Sequence, residues 1–477
     1  MADLTLIIHG WSSSSYSFRK VKEFLVRSGA GRVESILYAD YESREDNMTF
    51  NDVIDGLNDE MIRHGIVGRD GKKKKNVNVI VHSTGGMVIR HWIWRYYYRD
   101  GDRTKDCPVK RLIMLAPANF GSPLAHRGKS FFGGLMKGRK SLGNFLETGR
   151  QILDGLELGS PYQWDLAHRD LFIDEPYYRS DRIATTILVG IEQYKGLAGL
   201  VNKPGSDGVV VIAGTSLNSA KLTLGVCRPD GERASYVPCQ WSVTRPLDDY
   251  AFGVLPGLDH TSIVGDIAAG TGGLVGALVI EALKKRPGSF DSFKKKLVDI
   301  SNRAYQSTGT TKYQQFLLRA IDDQDAPIDD YTLEFFIAPS RGLREGGVVV
   351  LGRRDPRMRR WSDLVHKKLT REFHTHSRAP SHRRFLIAPL EVHNLLERAG
   401  RDVGKNVALC MRMHVPRIDR GIRYDTRSLQ NIVLYDPHRT GRRSLSFFYP
   451  NTTTLLEFRV DRYNKYVTIG TRARKHS

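Results

Sequence analysis

The sequence has 477 residues, which exceeds one ordinary domain of about 100–200 residues and predicts two or three domains. With 40% hydrophobic, 26% charged and 9% aromatic residues it can bury sizeable cores, which excludes wholesale disorder and collagen-like or coiled-coil proteins. The net charge of +21 predicts a surface that attracts polyanions or anionic lipid head groups. Residues 286–477 carry most of this charge, with 37 basic against 20 acidic side chains, a net of +17.

The cysteines and the N-terminus bear on the compartment. Four scattered cysteines are too few for a disulfide framework and lack metal-ligand spacing, so a reducing compartment is expected. No basic segment precedes the short apolar run at residues 4–8, so we predict no signal peptide. The expected location is therefore the cytoplasm, and export would need a route that does not use a signal.

The first half of the chain alternates apolar strands with helices. Strands are predicted near residues 4–8, 33–38, 76–81, 111–116 and 184–191, and helices near 18–28, 50–64 and 87–98. Strands that are apolar throughout are buried on both faces, which is typical of a mostly parallel sheet covered by helices. The predicted fold class is therefore α/β.

Two segments interrupt this rhythm. Residues 120–181 are too long for a plain connection and mix apolar with polar residues, so we predict a partly helical lid there. Residues 268–283 are the most apolar stretch, but a membrane span needs about 20 such residues, and this run is shorter and contains Glu281. A packed globular helix is the expectation.

A domain boundary is predicted at Lys284–Gly288, where a basic helix end is followed by Pro-Gly. The first domain then covers residues 1–285. Residues 290–477 form a second, basic domain of unknown role. Its β-branched and aromatic runs, split by Gly, Pro and Asp, predict a β-rich, largely antiparallel structure.

Ser83 lies in the most informative motif, His82-Ser-Thr-Gly-Gly86, directly after a predicted buried strand. A serine in a tight strand-to-helix turn is held up at the carboxyl edge of the sheet, and glycines leave room for that turn. The usual signature is G-x-S-x-G, whereas Val81 occupies the first glycine position here. Without its context the pentapeptide fits an ordinary turn equally well.

A serine hydroxyl needs a histidine base that is oriented by a carboxylate, and in this fold class they follow in the order Ser, Asp or Glu, His. Asp207 lies in a Gly-Ser-Asp-Gly turn, and His260 lies in a loop before the apolar helix. The order is therefore correct for a catalytic triad. Glu192, which follows a predicted strand, stays open as the rival acid, and Asp207 is preferred because of its turn.

Acyl transfer also needs donors for the negative charge that develops on the carbonyl oxygen. The expected oxyanion-hole donors are the amide of Thr84, after the serine, and a backbone amide of the Gly10–Trp11 loop at the end of the first strand. A simple turn is the alternative reading of that loop.

In this order the motifs resemble the α/β-hydrolase superfamily, in particular its serine lipase, phospholipase and lecithin–cholesterol-acyltransferase-like members. The resemblance covers about residues 4–283 and is carried by Leu6–Trp11, Val79–Gly86, Leu115–Pro123, the acid turn at Ser206–Val210 and Asp259–His260. It implies an α/β-hydrolase fold with a lid insertion. Two departures are Val81 and a chain that begins at the equivalent of the family's third strand, so the first two strands are expected to be absent.

The resemblance implies a serine carboxylic-ester hydrolase that acts on lipid or phospholipid acyl esters through Ser83, His260 and Asp207. It also suggests a toxin-like phospholipase that is exported without a signal peptide. The alternatives are a non-catalytic, hydrolase-like binding or delivery protein, or an acyltransferase with the same triad. Expected partners are a lipid ester, an anionic membrane surface, and a protein bound by residues 290–477. Nucleic acid is not favoured, because no helix-turn-helix, zinc-finger or RNA-recognition signature is present. No cofactor or metal site is predicted.

Overall fold

The computed structural model describes residues 4–9, 15–37, 47–101, 103, 105–125, 150–195, 199, 202–226, 239–243, 249–269, 272–285, 287–340, 355–416, 422–426, 429–430, 432–438 and 448–464. Its strands are β1 (Leu4–His9), β2 (Arg32–Leu37), β3 (Val77–His82), β4 (Val109–Leu115), β5 (Ala184–Gly190), β6 (Ser219–Val226), β7 (Cys239–Val243), β8 (Ala251–Leu255), β9 (Gln314–Asp322), β10 (Thr332–Pro339), β11 (His374–Thr375), β12 (His382–Ile387), β13 (Val407–His414), β14 (Ile422–Asp425), β15 (Ile432–Tyr435) and β16 (Thr453–Asn464). Its helices are α1 (Ser15–Arg27), α2 (Phe50–Arg63), α3 (Gly85–Tyr97), α4 (Arg150–Leu156), α5 (Pro161–Asp170), α6 (Ile212–Thr215), α7 (Ser262–Ala268), α8 (Gly273–Lys284), α9 (Phe290–Thr308), α10 (Pro356–Thr370) and α11 (Pro389–Val403).

A parallel sheet organises the first half of the chain. Six strands follow the order β2-β1-β3-β4-β5-β8, and every neighbouring pair is parallel. All six residues of β3, which lies between β1 and β4, are buried, as is typical of an inner strand of a parallel sheet. The α/β prediction is therefore confirmed.

The chain divides into two compact units. The first unit comprises Met1–Ser219, Pro246–Tyr313 and Asn451–Thr453, and the second comprises Ala220–Arg245, Gln314–Pro450 and Thr454–Ser477. This division differs from the predicted division at a single boundary at residues 285–290. The differences are α9, which belongs to the first unit, and the β6–β7 hairpin, which belongs to the second.

The second unit contains two sheets. One has the order β11-β12-β9-β16-β6-β7, with β14 paired to β16, and the other has the order β10-β13-β15. The β-rich prediction is confirmed, but the unit also contains α10 and α11, which the sequence pattern did not predict. In α10 only Val365 and Leu369 are buried among many charged residues, so its apolar periodicity is weak.

The apolar segment near residues 268–283 contains a packed helix. In α8, Val275, Leu278 and Val279 are almost fully buried. Among the described residues, no helix by itself is long and apolar enough to cross a bilayer; α7 and α8, which meet at 79°, reach that threshold only as a pair and only by length and composition.

The insertion predicted as a lid is only partly described. Residues 126–149 lie outside the described residues, and the lid role stays a prediction. Beyond them, α4 and α5 pack into the first unit, where Ile152, Trp164 and Leu166 are buried.

Candidate active site

Ser83 occupies the sharp turn between β3 and α3. Its φ angle is +54°, a value that is uncommon for residues other than glycine and that clusters at functional sites. The side chain is buried, at 1% exposure. The turn therefore holds the hydroxyl at the carboxyl end of the parallel sheet.

Backbone hydrogen bonds to the end of β4 and to the loop after it hold this turn in place. The Ser83 N–H donates to the Leu115 carbonyl at 3.2 Å, and the Ala118 N–H donates to the Ser83 carbonyl at 2.9 Å. A Cβ atom at Gly86 would lie 2.7 Å from the Pro117 Cβ and 2.8 Å from the Asn119 Oδ1. Glycine is needed at position 86 because α3 approaches this loop so closely.

Three side chains from distant parts of the sequence meet at the turn. His260 Nε2 lies 3.2 Å from the Ser83 Oγ, and His260 Nδ1 lies 3.0 Å from the Asp207 Oδ2. All three residues are at most 1% exposed. They form one continuous chain of hydrogen bonds from hydroxyl to carboxylate.

The two oxygens of the Asp207 carboxylate have different partners. Its Oδ1 accepts hydrogen bonds from the amides of Val209, at 3.0 Å, and Val210, at 2.8 Å. Its Oδ2 is the atom that faces His260. The turn at Gly-Ser-Asp-Gly thus orients the carboxylate through its own backbone, independently of His260.

The loop that carries His260 is held through its backbone. The His260 N–H donates to the Asp207 carbonyl at 3.0 Å. The His260 carbonyl accepts from His82 Nε2 at 3.1 Å, and the two rings lie 4.7 Å apart. In the sequence, His82 stands out only as part of the serine motif; its position directly before Ser83, at the end of a buried strand, is the signal that could have identified it.

The other residues that the sequence predicts for the site are the rival acid Glu192 and the oxyanion-hole residues Gly10, Trp11 and Thr84. Glu192 meets the His260 loop through its backbone, with its N–H donating to the Leu258 carbonyl at 2.9 Å, and its side chain is half-buried. Thr84 follows Ser83, is buried, and is the N-cap of α3. Gly10 and Trp11 lie outside the described residues.

A buried ion pair supports α3 behind the turn. Arg90 donates to both carboxylate oxygens of Asp170, at 2.6 and 2.9 Å, and to the Asn119 carbonyl at 3.0 Å. Tyr178 adds a hydrogen bond to the same carboxylate at 3.0 Å. Desolvation would lower the pKa of Arg90, but the charge of Asp170 outweighs it and raises that pKa above its ordinary value. The guanidinium therefore stays charged and ties α3, α5 and the loop after β4 together.

Comparison with known proteins gives a structural likeness and no sequence match. No family profile and no curated protein matches the chain. The phospholipase PlaB from Legionella pneumophila has a similar structure, with a TM-score of 0.73, 22% sequence identity, and coverage of 100% of this chain and 97% of that chain. A second structure of that protein, in complex with thio-NAD, gives a TM-score of 0.72 at 22% identity and covers 99% of this chain and 97% of that one.

A likeness to a Bacillus licheniformis lipase is confined to 45% of this chain, with a TM-score of 0.30 and 16% identity. The full-length likeness, the parallel sheet and the serine turn agree on one architecture. The chain has the α/β-hydrolase fold that its motifs predict, together with a second, β-rich unit.

Proposed function

We propose that the protein is a serine carboxylic-ester hydrolase that acts on acyl esters of lipids, phospholipids among them. The observation that carries this proposal is the hydrogen-bonded series Ser83, His260 and Asp207. A nucleophile, a base and an orienting acid in contact are what acyl transfer to water needs.

In the first half of the reaction, the Ser83 Oγ attacks the ester carbonyl carbon while its proton passes to His260 Nε2. Asp207 accepts the Nδ1 proton in a hydrogen bond, holds the required tautomer and stabilises the imidazolium. The Thr84 amide is the donor that we assign to the negative charge on the carbonyl oxygen, and the sequence predicts a second donor in the Gly10–Trp11 loop. The carbon–oxygen bond then breaks, and the alcohol leaves with the proton from His260 Nε2.

In the second half, water attacks the acyl carbon of the acyl-enzyme and gives a proton to His260 Nε2. The bond to the Ser83 Oγ breaks, the fatty acid leaves, and the proton returns to that oxygen. An alcohol in place of water would make the same site an acyltransferase.

The lipid part of the proposal has three supports. The chain is structurally similar over its whole length to a protein named a phospholipase. The part of the predicted lid that lies outside the described residues, 126–149, contains apolar residues that suit an acyl chain. The charge of +21 favours an anionic membrane surface, where phospholipid substrates lie.

Active-site labelling tests the proposal directly. The intact protein is treated with a fluorophosphonate probe and assayed on p-nitrophenyl butyrate, beside Ser83→Ala and the control Ser292→Ala, which changes an exposed serine of α9. We expect Ser83→Ala to lose the label and at least 10³-fold in turnover, and Ser292→Ala to keep both. Turnover within about tenfold of wild type in Ser83→Ala would exclude this nucleophile.

The substrate class is tested on phospholipid vesicles by measuring released fatty acid. Release by wild type and none by Ser83→Ala is the expected result. A wild-type protein that neither takes up the label nor cleaves any ester, yet binds vesicles, would favour the delivery protein instead. Transfer of the acyl group to an added alcohol in preference to water would favour the acyltransferase.

A further inference from the structure

The helix α10 in the second unit has two distinct faces. Val365 and Leu369 are buried in the core of that unit. The opposite face carries a stripe of exposed residues with the spacing i, i+4, i+7 and i+11, formed by Arg360, Leu364, Lys367 and Arg371. Three cations thus surround a leucine that is 46% exposed.

The exposed surface of α10 is strongly basic. Its exposed cations are Arg357, Arg359, Arg360, Lys367, Lys368 and Arg371, the last at the helix C-cap. Asp363 is the exposed acid on the same helix. The surface therefore keeps a large positive excess.

Only part of this charge is neutralised locally. Arg357 pairs with Asp355 at 3.2 Å, Arg360 pairs with Asp402 at 3.1 Å, and Lys368 pairs with Glu391 at the start of α11. Arg359, Lys367 and Arg371 form no ion pair with any carboxylate in the part of the chain that the structure describes. Their charge is available to an external anion.

We infer that this face of α10 is a docking surface for anionic phospholipid membranes. Each cation near such a surface is attracted to its negative charge, and the attraction fades beyond a Debye length. Leu364 lies among these cations, and a membrane interface can bury its exposed side chain. Leu390, which is 67% exposed and adjacent to the Lys368 partner Glu391, provides a second apolar side chain on α11.

The leucine distinguishes a membrane from a nucleic acid as the partner. A polyanion would satisfy the cations but offers no apolar layer for Leu364, whereas a bilayer has head groups over an apolar interior. Docking gives the proposed lipid hydrolase access to its substrate. The importance of docking rests on that proposed function, but the binding itself does not depend on catalysis.

The test measures binding of the full chain to vesicles of phosphatidylcholine with phosphatidylglycerol, by co-sedimentation at several salt concentrations. The variant reverses three charges of the stripe, Arg360→Glu, Lys367→Glu and Arg371→Glu. The control reverses three exposed cations of the first unit, Arg63→Glu, Lys295→Glu and Arg303→Glu, and so changes the net charge equally.

We expect the α10 variant to bind at least tenfold more weakly at low salt and to lose most of its salt dependence, while the control stays within about twofold of wild type. Equal weakening in both variants would show attraction by net charge alone and would overturn the inference. So would unchanged binding by the α10 variant.

Leu364→Ser separates the lipid from other anions. We expect it to weaken binding to vesicles severalfold and to leave binding to heparin unchanged. Equal effects on vesicles and heparin, or α10-dependent binding of duplex DNA with no binding of vesicles, would overturn the membrane assignment.

Failure of docking and failure of the proposed function are distinguishable. Ser83→Ala is expected to bind vesicles like wild type, and the α10 variant is expected to cleave p-nitrophenyl butyrate like wild type. A wild-type protein without ester turnover that still binds through α10 refutes the hydrolase and leaves the docking surface standing.

Discussion

Asp207 and Glu192 are the two acids that the sequence leaves open for orienting His260. The Asp207 Oδ2 faces His260 Nδ1 at 3.0 Å, while Glu192 meets the loop through its backbone. We therefore expect Asp207→Asn to lower kcat on p-nitrophenyl butyrate by about 10³–10⁴-fold, because an amide favours the wrong imidazole tautomer. Glu192→Gln is expected to stay within about threefold. The reverse ranking of the two variants would assign the acid to Glu192.

His82 is expected to position the base rather than to touch substrate. Its Nε2–H holds the His260 carbonyl at 3.1 Å, so a variant without a donor lets the His260 loop move. We expect His82→Leu to lower kcat about 10–100-fold with little change in KM, and His82→Gln, which keeps a donor, to recover much of that loss.

A spectroscopic readout tests this role of His82 independently. The proton shared between His260 and Asp207 should give a downfield NMR signal in wild type and in His82→Gln, and a broadened or absent signal in His82→Leu. Equal turnover and equal spectra for the two variants would mean that His82 only fills space.

His91 makes the stability of the first unit depend on pH. It is 3% exposed and bonded to the Tyr162 hydroxyl at 2.9 Å. Desolvation, assisted by the charges of Arg169 and Arg95, lowers its pKa from 6.5 to about 3. Between these values the unfolded chain binds a proton that the folded chain does not, so stability falls as the pH falls from about 6.5 towards 3.

Replacing His91 with Gln should remove this contribution. The free energy of urea unfolding should then vary less between pH 6 and pH 4, by up to one proton, or about 1.4 kcal/mol per pH unit. The slope is the readout, because His91→Gln also loses ring packing at every pH. Identical slopes in wild type and variant would show that His91 titrates normally in the folded chain.

The sequence predicts the active-site residues from their type and their order along the chain, but it does not predict which atoms they contact. Ser83, Asp207 and His260 stand out because a strand-end serine, an acid turn and a later histidine follow a known order, and the structure brings them together. The contact of His82 with a backbone carbonyl has no such signature in the sequence. A carbonyl belongs to every residue, so only the folded loop reveals which one is near.

Among the elements, β5 and the His260 loop pass unusually close to each other. A Cβ atom at Gly190, the last residue of β5, would lie 2.1 Å from the Leu258 carbonyl oxygen and 2.6 Å from its carbon. These are backbone atoms, so the loop itself must shift to admit a side chain.

We therefore expect Gly190→Ala to lower kcat at least tenfold and to reduce the free energy of unfolding by about 1–3 kcal/mol. Gly56→Ala is the control, since its Cβ would meet nothing within 4 Å in α2, and alanine there should be neutral or add up to about 1 kcal/mol. Urea unfolding and p-nitrophenyl butyrate turnover measure both effects. A Gly190→Ala protein with wild-type turnover would show that the loop position does not matter for chemistry.

Five of the six strands of the parallel sheet were predictable because each contains a run of apolar residues, whereas the short edge strand β8, Ala251–Leu255, was not predicted. The strand predicted at 76–81 is Val77–His82 in the structure, and that predicted at 184–191 is Ala184–Gly190. The helix α10 was not predictable in this way, because its core side is reduced to Val365 and Leu369. Its fold depends on tertiary packing that a local pattern does not record.

For the whole molecule, the order of the units along the chain is interleaved. The chain leaves the first unit at Ser219, returns at Pro246, and leaves again at Tyr313. The boundary signal at Lys284–Gly288 is a true helix end, since α8 ends at Lys284, but α9 then packs in the same unit. A local stop signal marks the end of an element, and long-range packing decides which unit it belongs to.

The packing of α9 is substantial. Its buried residues include Phe290, Phe293, Leu297 and Ile300, whose burial contributes on the order of 6–12 kcal/mol. Ser301 also accepts a hydrogen bond from the Val254 amide of β8 at 2.8 Å. The whole stability of a domain is only about 5–15 kcal/mol, so loss of α9 is expected to destabilise the first unit severely.

We therefore expect a chain cut after Gly288 to be insoluble or molten, without ester turnover, because it lacks α9 and leaves the β6–β7 hairpin without its sheet. A chain cut after Tyr313 keeps α9 but still exposes the hairpin, so it should be more soluble than the shorter chain and less stable than the full one. Circular dichroism, thermal melting and turnover on p-nitrophenyl butyrate measure the series. A chain of residues 1–288 that melts cooperatively and turns over like wild type would show that the two parts fold in sequence order, and that the interleaving adds nothing to the stability of the first unit.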